Sequence, residues 1–478
     1  MAAMLGLIEG CVLFAAVSAT IFGWARPLLV DWIDVVLVLA QAVALSLCCI
    51  VAFYYNDLYD LRIVRSFGEF SARLLQAFGV AFILLAGFYT LFPQTRIAGG
   101  PFFSSVLLTL GVLVPIRAVS YGFMRSRPFM ERVLILGASP LARKVIAEIE
   151  AQPQFRYAIV GVVDDVEAPD LAPRYPVLGP LARLGKILDD VRADRIITAL
   201  AERRGRLPVR DLLEHQARGI IVDDGVEVYE RLTGKLALES VMPSSLLFSG
   251  DFHKSRLELA LARGISLLVS LVGMIATAPL VALIALAIKL DSRGPVLFVQ
   301  ERVSLRGRRF KLLKFRTMVS VEGKTSEWVQ DNQDRITRVG RWLRKFRFDE
   351  LPQFVNILRG DMNLVGPRPH PVSNFSLFTE RIPYYVLRSS VRPGVTGWAQ
   401  IRYGYANNLE EEIEKMRYDL YYIKHLSFWF DLRILVDTVK TVMFGRGSKR
   451  ADAYAAGMVI VADARAASPP EALPEERG

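Results

Sequence analysis

The chain has 478 residues, 52% hydrophobic side chains and a formal charge of +11, with a mean hydropathy of +0.31. This length predicts two to four folded units, and the hydropathy indicates that part of the chain lies in lipid. The charge fits an anionic partner or the anionic face of a membrane. The three cysteines lie in apolar runs and the four histidines are scattered, so the sequence has neither a disulfide framework nor a zinc-binding spacing.

Four apolar runs open the sequence, near 4–23, 33–55, 74–92 and 101–121. Each is close to the roughly 20 residues that cross a bilayer as a helix. The first run lacks the basic start of a signal peptide and contains Glu9, so we expect it to remain as a membrane helix. The sequence therefore predicts a four-helix transmembrane bundle over residues 1–125.

Arginines are distributed unequally among the loops of this bundle. Six of them lie between the second and third runs or after the fourth: Arg62, Arg65, Arg73, Arg125, Arg127 and Arg132. The remaining loops contain Arg26 and Arg96. Because basic loops stay on the cytoplasmic side, everything after residue 125 is predicted to be cytoplasmic.

Residues 130–245 alternate short β-rich runs with helical ones, which predicts a parallel sheet with crossover helices in a Rossmann-like α/β domain. A dinucleotide site of this fold has the pattern G-x-G-x-x-G, whose second glycine lets the backbone approach the pyrophosphate. Gly137 is present, but Ser139 and Ala142 occupy the later glycine positions. The pattern therefore predicts a degenerate nucleotide-binding domain, and NAD is not expected.

A fifth apolar run covers residues 264–289 and is long enough to span a membrane. Basic residues flank it on both sides: Lys254, Arg256, Arg263, Lys289 and Arg293. Both ends thus have the cytoplasmic signature, and Pro279 near the middle favours a kink because it lacks an N–H group and its ring clashes with the preceding turn. We predict a re-entrant helix. A plain fifth span is the alternative, and it would carry the rest of the chain across the membrane.

The remaining chain is predicted to be an α/β domain. Residues 291–318 favour two strands around a turn at Arg306–Gly307. A basic helix to about 346 and aromatic-rich helices from 409 to 444 are also predicted. The basic helix has arginines every three residues, at Arg335, Arg338, Arg341 and Arg344, which is typical of a solvated or headgroup-facing surface. The tail over 446–478 is predicted to be disordered.

Two adjacent acids, Asp349 and Glu350, follow the basic helix in "RFDELPQF". Neighbouring positions of a helix point about 100° apart, so these acids cannot share a proton and must have different roles. One interpretation is that Asp349 caps a helix, with Pro352 in its first turn, while Glu350 complements the helix dipole. The other is that one of them is a reactive carboxylate.

Several cations with restricted positions favour the second interpretation. Lys314 and Arg316 flank Phe315, so on a strand they share one face. Arg368 stands between two prolines in "GPRP", and Arg392 opens the glycine-containing loop "RPGVTGW". Fixed cations near a carboxylate nucleophile suit a diphosphate substrate, and a divalent ion such as Mg²⁺ fits the same site.

The motifs "GPVLFVQERV", "KFRTM", "DELPQFVNILRGDMNLVGPRP", "RPGVTGWAQI" and "YDLYYIKHLS" occur in this order between about 250 and 445. Together they resemble the bacterial sugar transferase family, the monotopic phosphoglycosyl transferases. The preceding bundle and Rossmann-like region are similar to those of its large members, the polyprenyl-phosphate hexose-1-phosphate transferases of exopolysaccharide and O-antigen synthesis.

This resemblance implies a two-step reaction in a phosphoglycosyl transferase domain at the cytoplasmic face of a bacterial inner membrane. Asp349 would attack the sugar-bearing phosphorus of a UDP-sugar, UMP would leave, and undecaprenyl phosphate would then take the phosphosugar. Glu350 would assist proton transfer or metal placement, with Asp349 as ligand of Mg²⁺. Lys314, Arg316, Arg368 and Arg392 would bind phosphate. In one departure, Ala278 precedes Pro279 where many members have serine.

Other functions remain open at this point. A membrane-bound, NAD-dependent nucleotide-sugar dehydratase would need a complete glycine fingerprint and a Tyr-x-x-x-Lys pair, and the sequence has neither. An inactive export scaffold would have a damaged "DELPQ", which is intact here. No nucleic-acid partner is expected, a homodimer is the default expectation, and no residue identifies the hexose.

Overall fold

The computed structural model describes residues 2–25, 32–56, 58, 67–97, 99–125, 130–152, 155–166, 174–202, 205–238, 254–319, 335–404, 406 and 408–444. The chain divides into two compact units, Met1–Val228 and Tyr229–Gly478. This division is coarser than the predicted four-part organisation, whose boundaries stay a prediction. The predicted disordered tail, 446–478, lies outside the described residues.

The first unit begins with four apolar helices, α1 (Ala2–Ala25), α2 (Trp32–Tyr55), α3 (Phe67–Leu91) and α4 (Gly99–Arg125). Neighbouring helices contact each other in the order α3, α2, α1, α4, around a core that includes Leu13, Phe53 and Phe70. Length and hydropathy allow α2, α3 and α4 to cross a membrane, while the apolar stretch described in α1 is the shorter Ile8–Trp24. The structure thus has the four helices that the sequence predicted.

A buried ion pair accounts for the acid in the first apolar run. Glu9 and Arg117 are both almost fully buried, and Arg117 Nη2 donates to Glu9 Oε2 at 3.0 Å. The Arg117 guanidinium also lies over the Phe70 ring at 5.3 Å from its centroid. Ionisable residues are tolerated inside membrane bundles when they face the interior and pair with each other, so this pair ties α1 to α4.

A four-stranded parallel sheet with crossover helices follows the bundle, as predicted. Its order is β2-β1-β3-β4, and all three strand pairings are parallel. The strands and helices are β1 (Glu131–Leu136), α5 (Pro140–Ala151), β2 (Tyr157–Val163), α6 (Leu184–Val191), β3 (Arg195–Thr198), α7 (Val209–Ala217), β4 (Ile221–Asp224) and α8 (Gly225–Thr233). The inner strands β1 and β3 are mostly buried, as expected for a sheet covered on both faces.

The second unit contains a long helix, a hairpin and a set of shorter helices. Its elements are α9 (Arg256–Asp291), β5 (Leu297–Val303), β6 (Arg309–Phe315), α10 (Arg338–Lys345), α11 (Gln353–Arg359), β7 (Asn363–Val365), α12 (Val372–Arg381), β8 (Gly394–Thr396), α13 (Trp398–Arg402), α14 (Leu409–Lys424) and α15 (Phe428–Phe444). Strands β5 and β6 form the predicted antiparallel hairpin, whose turn places Arg306 in the left-handed region at φ 58°.

Helix α9 is 36 residues long and stays helical through Pro279, and its length and hydropathy allow it to cross a membrane. Its buried residues, Ala262, Ser266, Ser270, Ile284 and Ile288, recur at helical spacing. Its other faces expose large apolar side chains such as Leu268, Ile275 and Leu283. The helix therefore packs one stripe against protein and leaves an apolar surface open.

Both halves of α9 contact the same unit. In the first half, the Arg263 guanidinium donates to the carbonyls of Ile357 and Met362 at 2.7 and 2.8 Å. At the other end, Val339 N–H donates to an Asp291 carboxylate oxygen at 3.1 Å. One folded unit thus holds both ends of the helix.

The end of α8 and the residues that follow it are tied into this second unit, although the sequence assigned them to the Rossmann-like region. The carboxylate of Glu230 accepts from Lys424 Nζ at 2.8 Å, and Lys235 pairs with Glu414. Trp398 Nε1 donates to the Gly234 carbonyl at 2.9 Å. These long-range contacts join positions 164 to 194 residues apart, which a local sequence pattern does not reveal.

Candidate active site

The acid pair lies on a tight turn between two helices. Arg347 adopts a left-handed conformation with φ 59° after the end of α10, and a 3₁₀ turn, Phe348–Glu350, follows directly. Asp349 and Glu350 are only 8% and 7% exposed. A non-glycine residue in the left-handed region indicates a turn that the surrounding structure enforces.

The alternative interpretation, in which Asp349 caps a helix, is wrong. Helix α11 begins at Gln353, three residues beyond Glu350, and Pro352 at its N-cap makes no side-chain hydrogen bond. The 3₁₀ turn that contains Asp349 likewise has no side-chain cap. The left-handed Arg347 starts the turn early, so the Asp349 carboxylate is not used to satisfy helix amides.

Glu350 is held by three cations. Its Oε1 lies 2.9 Å from an Arg368 nitrogen, 3.2 Å from Lys314 Nζ and 3.4 Å from an Arg347 nitrogen. Burial opposes ionisation of this carboxyl, but the charges of Lys314, Arg368 and Arg347 outweigh it and hold the pKa of Glu350 well below its usual range. Glu350 is therefore ionised across the physiological pH range.

Asp349 has a different environment, although it is the next residue. Among the described residues its carboxylate has one charged partner, Lys314 Nζ at 3.9 Å. Burial, followed by the adjacent Glu350 charge, raises the pKa of Asp349 above its ordinary value. The turn thus carries two different carboxylates: Glu350 is held by three cations, whereas Asp349 is buried and has one more distant charged partner.

The loop that carries Arg368 bridges the acids and a neighbouring helix. Arg368 Nη2 binds Glu350, while Nη1 donates to Gln400 Oε1 at 3.1 Å. Beneath it, the guanidinium of Arg388 donates to the Arg368 carbonyl at 3.2 Å and pairs with Asp419 at 2.7 Å. A buried ion pair therefore supports the backbone that positions Arg368.

His370 continues this support network. Its Nδ1 lies 3.2 Å from the Tyr385 hydroxyl, and its Nε2 lies 3.3 Å from Lys415 Nζ and 3.4 Å from a Glu412 oxygen. Burial, and then the surrounding positive charges, lower the pKa of His370 well below its usual value. The imidazole is therefore neutral, and it links the Arg368 loop to α14.

The structure brings two of the four predicted phosphate-binding cations to the acids, Lys314 and Arg368. Arg316 lies elsewhere: it is buried, and its guanidinium donates to the carbonyls of Ser292 and Arg293, both at 2.7 Å. It ties the end of β6 to the end of α9. The strand ends at Phe315, so the alternation that would have put Arg316 on the face of Lys314 no longer applies.

Arg392 makes its contacts with other groups in the part of the chain that the structure describes. Its Nε donates to the Gly360 carbonyl at 3.2 Å, and its charge contributes, after burial, to lowering the pKa of Arg263. Its predicted contact with phosphate stays a prediction. Conversely, the sequence interpretation did not assign Arg347 or Gln400 to the site, although both occur within quoted motifs, "RFDELPQF" and "RPGVTGWAQI".

The predicted magnesium site fits the chemistry of Asp349. The described residues contain no group of three or more His, Cys, Asp and Glu side chains that could form a protein-only metal site. Mg²⁺ commonly binds one or two carboxylates together with substrate phosphates. Asp349, whose single charged contact is long, can serve as such a ligand, whereas Glu350 Oε1 already contacts three cations.

A second candidate site is the loop after β1 in the first unit. Gly137 has φ 102°, and an added Cβ would lie 2.6 Å from the Ala199 carbonyl oxygen, so only glycine fits there. The next amide, Ala138 N–H, donates to Asp164 Oδ2 at 2.7 Å. Asp164 in turn pairs with Arg206 at 3.1 Å.

Comparisons with known proteins match both units. The sequence model described as bacterial sugar transferase matches residues 257–445, and one described as CoA-binding domain matches residues 54–214. The chain is 39% identical over 224 residues to the UDP-N-acetylgalactosamine-undecaprenyl-phosphate N-acetylgalactosaminephosphotransferase of Aeromonas hydrophila, covering 47% of this chain and 52% of that relative. It therefore spans about half the length of this relative.

Two further relatives are both named UDP-glucose:undecaprenyl-phosphate glucose-1-phosphate transferase. The protein of Escherichia coli (strain K12) is 32% identical over 329 residues, or 67% of this chain and 70% of the relative. The protein of Klebsiella pneumoniae is 30% identical over 387 residues, or 78% of this chain and 82% of the relative. The similarity thus extends beyond the residues that carry the acid pair.

In the loop after β1, one backbone amide that could bind a phosphate of coenzyme A or of a dinucleotide is already occupied. Such loops bind phosphate through backbone N–H groups, but here the Asp164 carboxylate already accepts from Ala138 N–H. A phosphate at this amide would be placed against a negative charge. The predicted absence of NAD remains a prediction.

Proposed function

This chain belongs to the bacterial sugar transferase family, and we propose that it transfers a hexose-1-phosphate from a UDP-hexose to undecaprenyl phosphate, with release of UMP. The observation that carries the proposal is the unequal environment of two adjacent acids. Asp349 is buried with one distant cation, and Glu350 gathers three cations beside it. A nucleophile next to a fixed cluster of positive charge suits a diphosphate substrate.

In the first step, an Asp349 carboxylate oxygen forms a bond to the sugar-bearing phosphorus. The bond between that phosphorus and the oxygen bridging to UMP breaks, and the electron pair leaves on UMP. In the second step, a phosphate oxygen of undecaprenyl phosphate forms a bond to the same phosphorus and the Asp349 carboxylate leaves. Neither step requires a proton from the enzyme, because the leaving groups are a phosphate and a carboxylate.

Glu350 acts as an anchor for cations in this proposal. Its pKa lies well below the usual range, so it does not hold a proton that it could donate near neutral pH. Its contacts fix Lys314, Arg347 and Arg368 beside Asp349. These cations would neutralise charge on the diphosphate, and bound Mg²⁺, with Asp349 as a ligand, would supply further neutralisation.

We also propose that α9 is re-entrant and that the acid pair lies at the cytoplasmic face of a bacterial inner membrane. At 1.5 Å per residue α9 is about 54 Å long, well beyond the roughly 30 Å of hydrocarbon in a bilayer. Contacts from Arg263 and from Asp291 attach both halves to one folded unit. Basic residues at both ends and Pro279 in the middle favour entry and exit on one side.

The hexose is left open, because the relatives are named for two different sugars, N-acetylgalactosamine and glucose. The test uses full-length protein in nanodiscs with a panel of UDP-hexoses and Mg²⁺, with and without undecaprenyl phosphate. We expect UMP release, a sugar phosphate retained on the protein without acceptor, and a lipid-linked sugar with it. Absence of UMP from every UDP-hexose tested would rule out the proposed reaction.

The same assay separates the alternatives. A dehydratase would remove water from the sugar, with no net consumption of NAD, and would keep its product linked to the nucleotide, whereas a scaffold would leave every UDP-hexose intact. Release of UDP instead of UMP would indicate attack at the sugar carbon and would also contradict the proposal.

A further inference from the structure

An open apolar groove lies between the second half of α9 and α10. Its floor and walls include Leu283, Ile284 and Ala287 from α9 and Val339 and Trp342 from α10, and its volume is about 470 Å³. This volume lies within the range of roughly 300–1,000 Å³ that is common for ligand sites. All of these residues belong to the second unit.

The groove opens on an apolar surface. Trp342 is 49% exposed and Leu283 is 65% exposed, and the nearby Leu286 and Leu290 are also exposed. These leucines lie on the helix whose hydropathy allows it to enter a membrane. Tryptophan prefers the boundary between hydrocarbon and headgroups, so Trp342 places the groove at that depth.

Aromatic rings connect the groove to the acid pair. The Trp342 ring lies 5.3 Å from the rings of both Phe346 and Phe348, measured between centroids, and these two phenylalanines are 5.9 Å apart. Phe348 immediately precedes Asp349, and it packs with Ile284 in a shared apolar cluster. The apolar surface is thus continuous from α9 to the residue before the proposed nucleophile.

Cations border this surface. Arg338 lines the groove, and Lys345 Nζ lies over the Phe346 ring at 5.5 Å from its centroid. Lys314 and Arg347 lie beside the acids at its other limit. Apolar walls that lead to a cluster of positive charge complement a molecule with a hydrocarbon chain and an anionic head.

We propose that this groove binds the first isoprene units of the polyprenyl chain of the acceptor, with its phosphate directed towards Asp349. The inference rests on the proposed function and adds where the lipid substrate lies. The groove then holds the first part of the polyprenyl chain so that the acceptor phosphate lies next to the nucleophile. The remainder of the polyprenyl chain stays in the bilayer.

The first experiment is photolabelling of the full-length protein in nanodiscs with a diazirine-bearing farnesyl phosphate. We expect the label on peptides that contain Leu283 to Ala287 or Trp342, and we expect undecaprenyl phosphate to compete while phosphatidylglycerol does not. Labelling elsewhere, or equal competition by phosphatidylglycerol, would show that the groove holds an acyl chain or nothing, and would overturn the proposal.

The second experiment fills or truncates the groove. Ala287→Trp and Trp342→Ala are expected to raise the KM for undecaprenyl phosphate about tenfold, as expected for the loss of part of one apolar contact surface. UMP release in a single turnover without acceptor should stay within about twofold of the unmodified protein, because the donor half-reaction does not use the groove. Trp429→Ala, which truncates another exposed tryptophan, is the matched control.

The two possible failures are distinguishable. If the unmodified protein released no UMP from any UDP-hexose, the proposed function would fail, whereas the photolabelling result would still report on the groove. If the unmodified protein were active and both groove variants kept its KM for the acceptor, the groove assignment alone would be wrong.

Discussion

Asp164, which directly follows β2, and Asp349, in the turn after α10, both lie beside a positively charged side chain, but the two carboxylates have different contacts. Asp164 accepts from Ala138 N–H at 2.7 Å and pairs with Arg206 at 3.1 Å. Asp349 has Lys314 at 3.9 Å as its charged partner among the described residues. In the turn after α10, the neighbouring Glu350 takes the closer cation contacts, which leaves Asp349 with the longer one.

The largest expected effect comes from removing the charge of Asp349. Asp349→Asn should lower sugar-phosphate transfer by at least about a thousandfold, because loss of a covalent nucleophile removes the reaction path itself. The measurement is UMP release together with mass spectrometry of the protein for a retained sugar phosphate. Asp190→Asn, at an exposed position of α6, is the control, and substantial turnover in Asp349→Asn would refute the assignment.

A smaller loss is expected when the support below the Arg368 loop is broken. Arg388→Met leaves the Asp419 carboxylate buried without its ion-pair partner, which should lower the free energy of unfolding by about 3–5 kcal/mol. The melting temperature reports the stability loss, and a raised KM for the UDP-hexose reports the misplaced Arg368. Arg381→Met, at an exposed site on α12, should change neither; an unchanged melting temperature in Arg388→Met would contradict this role.

Two substitutions should shift the pH dependence of UMP release in opposite directions. Because the pKa of Asp349 is raised by burial and by the Glu350 charge, the ionised nucleophile is lost as pH falls through that raised value. Glu350→Gln removes a negative charge, so the acidic limb of single-turnover UMP release should move to lower pH. Lys314→Met removes a positive charge, so the same limb should move to higher pH.

The control for this pair is Lys311→Met, an exposed residue of the same strand as Lys314, which should leave the limb in place. Shifts of the same sign in Glu350→Gln and Lys314→Met would mean that another group controls the limb.

The smallest effect on transfer is expected in the first unit. Asp164→Ala removes the acceptor of Ala138 N–H and the partner of Arg206, which should cost about 1–3 kcal/mol of stability. Transfer should stay within about twofold of the unmodified protein, since function depends on the residues of the site and not on the presence of a fold. Asp190→Ala in the same sheet domain is the control, and a large loss of transfer in Asp164→Ala would contradict this separation.

Much of the architecture could be predicted from local patterns. The four apolar helices, the parallel sheet and the β5–β6 hairpin depend on hydrophobic periodicity and turn residues, which are readable along the chain. The predicted exposure of the arginines before the acids is confirmed for only some of them. Arg338 and Arg341 are exposed as expected, but Arg344 donates to Thr317 Oγ1 at 3.1 Å and Arg335 to the Val319 carbonyl at 3.1 Å.

The sequence predicts the kind of site, but only some of the residues that form it. The acid pair, Lys314 and Arg368 were identified, but strand alternation wrongly grouped Arg316 with Lys314, because the strand ends before Arg316 turns to the carbonyls of α9. Arg347 was not assigned, because its left-handed backbone, which begins the turn, is not encoded by any residue preference.

By itself, the sequence determined which parts of the chain are apolar, where the sheet strands lie, and that Asp349 and Glu350 are adjacent. The tertiary structure decided which of the two acids is held by close cations. That choice depends on cations from β6, from the turn and from the Arg368 loop, all of which converge on Glu350. Burial and charge set the pKa of a carboxylate through space. Residues that are distant in the sequence therefore give two consecutive acids different pKa values.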